Sequence, residues 1–151
     1  MKTGYKISDI MTASPIKIDY DATVKECAEL MTKKEVGSLL IFKNTKFIGI
    51  MTEEDIITKV VKNDLLPSKI RVINIMTPLK DIISIEPNKD IYDALTLMKE
   101  NNIRRLPVMI KDKLQGLITF KDIMRIQPDL FDMIVDSFEL KEEKRKLQFL
   151  D

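Results

Sequence analysis

Histidine is absent from this 151-residue chain, and Cys27 is its only cysteine. The first absence excludes histidine acid–base chemistry and triads built on it. The second excludes an intramolecular disulfide, and together they leave a zinc site to be built from carboxylates alone, which is rare. No apolar run approaches the ~20 residues that span a bilayer. The opening stretch MKTGYKISDI lacks the apolar centre of a secretory signal. The expectation is a cytoplasmic protein without a membrane partner. Neither sign of charge is in excess: 25 basic residues face 24 acidic ones, for a net charge of +1. That balance gives no electrostatic reason for general binding to polynucleotides or membranes.

What is present suits a soluble globular protein, at 44% hydrophobic and 32% charged. Val24, Cys27, Ala28 and Met31 lie in one apolar row at helical spacing, so Cys27 reads as a small packed hydrophobe, with a reactive thiol as the alternative. The strongest feature is an internal repeat. A shift of 67 residues superposes Ile18 on Ile85, Leu30 on Leu97, Leu39 on Leu106 and Lys46 on Lys113. It also lays GIMTEEDI (49–56) over GLITFKDI (116–123), aligning two of the chain's four glycines, Gly49 and Gly116. Upstream, DIMT (9–12) matches NIMT (74–77) at a shift of 65, so two residues are inserted between the alignments.

Each copy reads as strand, helix, strand, strand, helix. SPIKID (14–19) is extended. Thr23 and Glu26 form a capping box before a helix over 23–35, and Asp90 caps its counterpart, with Ile91, Ala94, Leu95 and Met98 on the apolar face. SLLIF (38–42) and FIGIM (47–51) flank a polar turn, as LPVMI and LQGLI flank KDK, giving two hairpins. A closing helix from Thr52 carries Ile56, Ile57, Val60 and Val61 on one side. One such unit buries too little surface alone. The predicted fold is therefore α/β (α+β): two pseudo-symmetric β-α-β-β-α units packed sheet to sheet, plus a C-terminal helix. The units span 8–63 and 74–127, joined by a linker over 64–73. A helical extension over 128–151 carries Leu130, Phe131, Ile134, Val135 and Phe138 on its apolar face, able to cap the core or to join a dimer contact.

Thr52 and Asp55 recur as Thr119 and Asp122, and two readings compete. Thr at the N-cap with an acid at the third helical position is a local helix-start device. Alternatively, Asp is shorter than the Glu or Gln preferred in a reciprocal cap, which leaves its carboxylate open to two hydroxyls of one ligand, such as the vicinal pair of a ribose. The glycines fit strand positions that another backbone or a ligand approaches closely. Arg104 and Arg105 stand before a strand in the second copy, where the first has Gly37 and Ser38. Arginine suits phosphate because its planar fork donates two parallel bonds.

These features together resemble a tandem pair of CBS (cystathionine-β-synthase) domains, a Bateman module, over about residues 8–127. The resemblance implies paired units with two clefts that take adenosine-containing ligands: AMP, ADP, ATP or S-adenosylmethionine. It implies one cleft with Thr52, Asp55, Ile83, Ser84, Ile85, Arg104, Arg105 and Pro107. The other would hold Thr119, Asp122, Ile16, Lys17, Ile18, Gly37 and Ser38, with Lys17 as its available cation. The family often carries His-Arg where this chain has Arg104-Arg105, which keeps the cationic character. The resemblance further implies a stand-alone regulatory protein that is not an enzyme, needs no cofactor, pairs as a homodimer and acts on a protein partner that the sequence does not name. A ligand-free dimerisation scaffold and a nucleic-acid-binding protein, using Arg104, Arg105 and Lys17, are the alternatives.

Overall fold

Thr23 and Asp90 do start the two longest helices among the described residues. The computed structural model describes residues 2–132 and Val135. In chain order the elements are α1 (Ile7–Ile10), β1 (Lys17–Asp19), α2 (Val24–Lys34), β2 (Ser38–Lys43), β3 (Lys46–Thr52), α3 (Glu53–Asp55, continuing as π-helix over Ile56–Val61), β4 (Thr77–Pro78), α4 (Ile91–Asn101), β5 (Arg105–Ile110), β6 (Lys113–Thr119) and α5 (Phe120–Ile126). The class is mixed α/β. In α2 the Thr23 hydroxyl accepts the Glu26 N–H at 3.1 Å, and the Glu26 carboxylate accepts the Thr23 N–H at 3.0 Å. In α4 Asp90 accepts from the Tyr92 N–H at 2.8 Å. Both helices end on a left-handed residue at equivalent positions, Glu35 and Asn102.

Two compact units divide the chain, and their boundaries cross the sequence repeats. One unit is Ser14–Ile83; the other joins the stretch up to Ala13 to the stretch from Ser84 onward. In the first unit β1 runs parallel to β2, β2 antiparallel to β3, and β3 antiparallel to β4. Its core gathers Val24, Cys27 and Met31 of α2, Leu39 and Ile41 of β2, Met51 of β3, Val60, Val72 and Ile75. The stretch 64–73, expected as a linker, is thus built into this unit: the Val24 N–H donates to Ile70 O, and the Val72 N–H to Ala22 O, at 2.9 and 2.8 Å.

The second unit repeats the order. Ile85 bridges in parallel to Val108 of β5, β5 pairs antiparallel with β6, and Thr12 bridges antiparallel to Leu117 of β6. Its interior contains Ile7, Ile91, Ala94, Leu95, Met98, Leu106, Val108, Ile118 and Ile123. The two IMT segments therefore meet a sheet edge through their threonines, Thr12 by a single bridge and Thr77 in β4, each packed in the unit of the other copy. They also explain the paired glycines. A Cβ on Gly49 would sit 2.5 Å from Met76 Sδ and 2.7 Å from Thr77 O; one on Gly116 would sit 2.6 Å from Thr12 O and 2.9 Å from Met11 Sδ. What comes close at both glycines is backbone and methionine.

The closing helix of the first copy departs from expectation. Ile56 and Val60 turn inward, while Ile57 and Val61 are 61% and 64% exposed. Beyond α5, Leu130 is buried and Phe131 is half exposed. Ile134 and Phe138, and most of the helix proposed for 128–151, lie outside the described residues.

Candidate functional site

β3 and β6 each end on a threonine whose extended backbone (φ −119°, ψ 167° at Thr52; φ −116°, ψ 160° at Thr119) turns the chain into a helix. Both helix starts are closed reciprocally. Thr52 Oγ1 accepts the Asp55 N–H at 3.4 Å while Asp55 Oδ2 accepts the Thr52 N–H at 2.9 Å. Thr119 Oγ1 accepts the Asp122 N–H at 3.2 Å while Asp122 Oδ2 accepts the Thr119 N–H at 2.9 Å. Aspartate is long enough to close the box, so the expectation that its shortness leaves the carboxylate uninvolved is corrected: one oxygen of each is engaged in the cap. The cap leaves the other oxygen, Oδ1, to a further donor.

The copies differ at that second oxygen. In the Ser14–Ile83 unit, Lys59 Nζ lies 3.0 Å from Asp55 Oδ1 and donates to Ile75 O at 2.8 Å. In the other unit no donor among the described residues reaches Asp122 Oδ1, and the residue equivalent to Lys59 is Ile126. Lys59 escaped the sequence reading. Its i+4 spacing from Asp55 was visible, but its second partner is a main-chain carbonyl sixteen residues on.

The hairpins bring further candidates to these helix starts, because antiparallel register sets the first residue of one strand opposite the last of the next. Ser38 pairs with Thr52, and Gly37 O accepts the Glu53 N–H at 3.1 Å. Arg105 pairs with Thr119, and Arg104 O accepts the Phe120 N–H at 2.8 Å. The arginines share a unit and a helix start with Asp122. Ile85 and Pro107 are joined there by an N–H···O bond of 3.1 Å, and Ser84 is exposed. In the first unit Ile16 O accepts the Leu40 N–H at 3.0 Å, and Lys17 and Ile18 pair with Leu40 and Ile41. Ile83 is that unit's last residue. Lys17 Nζ sits 4.6 Å from the centroid of the Phe42 ring, a cation–π contact.

Burial, and then the negative charge of Glu26, push the Cys27 thiol up to about 12. That supports the packing reading of this residue, since the reactive form is the thiolate. Among the described residues no cluster of acidic or cysteine side chains could hold a metal ion, and no helix is long and apolar enough to cross a membrane.

The repeats and the fold have relatives. The family model for the CBS domain matches residues 7–62 and 72–129. An uncharacterised protein of Methanopyrus kandleri is 32% identical over 142 residues, covering 93% of this chain; the chain spans 66% of that relative's length. A putative signal-transduction protein with CBS domains from Burkholderia ambifaria shares the fold at a TM-score of 0.73 and 29% identity, over 85% of this chain and 96% of that one. The CBS domain pair of protein MJ0100, solved with 5′-methylthioadenosine and S-adenosyl-L-methionine, shares the fold at a TM-score of 0.71 and 24% identity, over 83% and 97%. With two matched segments covering most of its length, each in register with one copy of the repeat, this chain belongs to the CBS domain family as a tandem pair, a Bateman module.

Proposed function

We propose that the protein is a regulatory module, without catalytic activity, that binds an adenosine-containing ligand, and that Asp122 and Thr119 hold the ligand's ribose. The observation that carries this reading is the state of Asp122. Its Oδ2 is fixed by the Thr119 N–H, which sets the carboxylate's orientation, while its Oδ1 meets no donor among the described residues. A partly buried ionised carboxylate held in this way favours a hydroxyl pair, because charge-assisted hydrogen bonds are about twice as strong as neutral ones. Arg105, cross-strand from Thr119, and Arg104 supply cationic character at the same helix start, which favours AMP, ADP or ATP over S-adenosylmethionine. Binding regulates only through a difference in affinity between two conformations of the protein.

Calorimetry with AMP, ADP, ATP and S-adenosylmethionine on the wild type and on Asp122→Asn tests the proposal. Wild type binds a phosphate-bearing member, and Asp122→Asn loses that binding while remaining folded. Ligand at a hundred times its dissociation constant adds about 2.7 kcal/mol of stability, or roughly 5–10 °C for a chain of this size. Unchanged binding by Asp122→Asn refutes the ribose assignment.

A further inference from the structure

The two copies place the same carboxylate in different company. Every oxygen of Asp55 has a donor within the protein. Oδ2 accepts from the Thr52 N–H at 2.9 Å and from the Thr52 hydroxyl at 3.3 Å, and Oδ1 faces the Lys59 ammonium at 3.0 Å. The ammonium is itself held on its far side by Ile75 O at 2.8 Å, so Lys59 forms a strut between the helix start and the chain leading into β4. Sixty-seven residues later, Ile126 stands in place of Lys59, and its side chain has nothing to donate.

We infer that Lys59 occupies, in the first copy, the place that a ligand's vicinal hydroxyls take in the second. The chain would then carry one open diol-binding carboxylate, Asp122, and one filled from within, Asp55. This rests on the reading that Asp122 holds ribose. A vicinal diol donates to both oxygens of a carboxylate: Oδ2 can accept one hydroxyl beside the cap because each oxygen has two lone pairs, but Oδ1 must be open. At Asp55 it must displace a charged donor with neutral ones, the weaker exchange, and it also leaves Ile75 O without that donor. Lys59 is thus a specificity-determining residue: it makes the duplicated module single-sited without altering the Thr-Asp pair.

Calorimetric stoichiometry with AMP on the full chain tests this. Wild type takes one AMP per chain, and Asp122→Asn removes it. Lys59→Ile, which installs the second copy's residue, takes two. Lys59→Ile/Asp55→Asn returns to one, and Lys59→Ile/Asp122→Asn keeps one. Lys59→Met, which retains the apolar stem, serves in place of Lys59→Ile if that variant does not fold. A wild type that binds two AMP, one of them lost in Asp55→Asn, overturns the inference. So does a Lys59 variant that still binds one, or that binds more weakly because the ammonium contacts phosphate. Loss of the single wild-type site in Asp122→Asn, combined with a single site in Lys59→Ile, sinks the inference and leaves the ribose reading standing. An absence of AMP binding in wild type and Lys59→Ile alike overturns both.

Discussion

Gly116→Ala asks whether Thr12, at the end of the first IMT segment, is fixed against the sheet edge it bridges. A Cβ at this position would sit 2.6 Å from Thr12 O and 2.9 Å from Met11 Sδ, where ordinary contact begins at 3.4 Å. The thioether can swing away, because methionine has three rotatable bonds. The carbonyl cannot, because Thr12 is bonded to Leu117 in both directions: its N–H donates to Leu117 O at 2.9 Å, and its O accepts the Leu117 N–H at 3.0 Å. Bringing 2.6 Å out to 3.4 Å moves the segment by about 0.8 Å and strains both bonds. Overpacking costs about 1–3 kcal/mol, and a weakened hydrogen bond about 1 kcal/mol. Against this, alanine reduces the freedom of the unfolded chain, worth about 0.4–1 kcal/mol where the backbone tolerates it. The net loss is about 2–3 kcal/mol, a fall in melting temperature of roughly 5–10 °C by circular dichroism. Hydrogen exchange localises the damage, with the Leu117 amide exchanging faster in the variant. A melting temperature at or above that of the wild type would mean that Thr12 is not held against Gly116, and the Thr12–Leu117 bridge would be wrong.

Two further outcomes follow from the titratable groups. Burial acts to raise the pKa of Asp90, but hydrogen bonds from the Tyr92 N–H, the Thr3 hydroxyl and the Gly4 and Thr3 N–H groups outweigh it and hold the carboxyl below its ordinary value. A depressed folded-state pKa stabilises above the unfolded value of about 3.9, and the contribution disappears as pH falls through the folded pKa. Asp90→Asn is therefore expected to flatten the acid limb of the stability curve below about pH 4; an unchanged slope in urea melts across that range refutes the anchoring of residues 3 and 4. Cys27, with its thiol pushed up to about 12, is expected to resist iodoacetamide at pH 8 in the native protein and to react fully in denaturant, and stoichiometric native labelling would contradict its burial.

Much of the fold was legible because its signals are local. The capping residues Thr23, Glu26 and Asp90, the alternation of polar turns with apolar runs, and the 67-residue period all lie within windows of a few turns. The closing helix of the first copy was harder to read. Ile56, Ile57, Thr58, Val60 and Val61 are β-branched, which crowds an α-helical turn, and the segment winds as a π-helix instead, the Lys62 N–H reaching back to Ile57 O at 2.9 Å. Ile56 and Val60, four residues apart, share the inward side, and Ile57 and Val61 share the exposed side one step round, so the four do not form a single face. At the site, the Thr-Asp pairs were visible but the asymmetry between them was not. Lys59 matters only because the chain brings Ile75 O to its far side, a contact that no spacing in the sequence reports.

The exchange of the IMT segments shows most plainly where sequence periodicity stops informing structure. A period records which residues are alike; it does not record which residues touch. Ile10–Thr12 open the first copy, yet Thr12 bridges to Leu117 of the second; Ile75–Thr77 open the second copy, yet Thr77 pairs with Ile50 of the first. The glycines held the clue. An unsubstituted strand position needs something to fill the space above it, and each copy repeats the glycine and the Met-Thr that covers it, but in chains of contact that cross. Neither repeat, cut at its sequence boundaries, carries its own cover, so the unit that duplicated and the unit that packs are different stretches of the same chain.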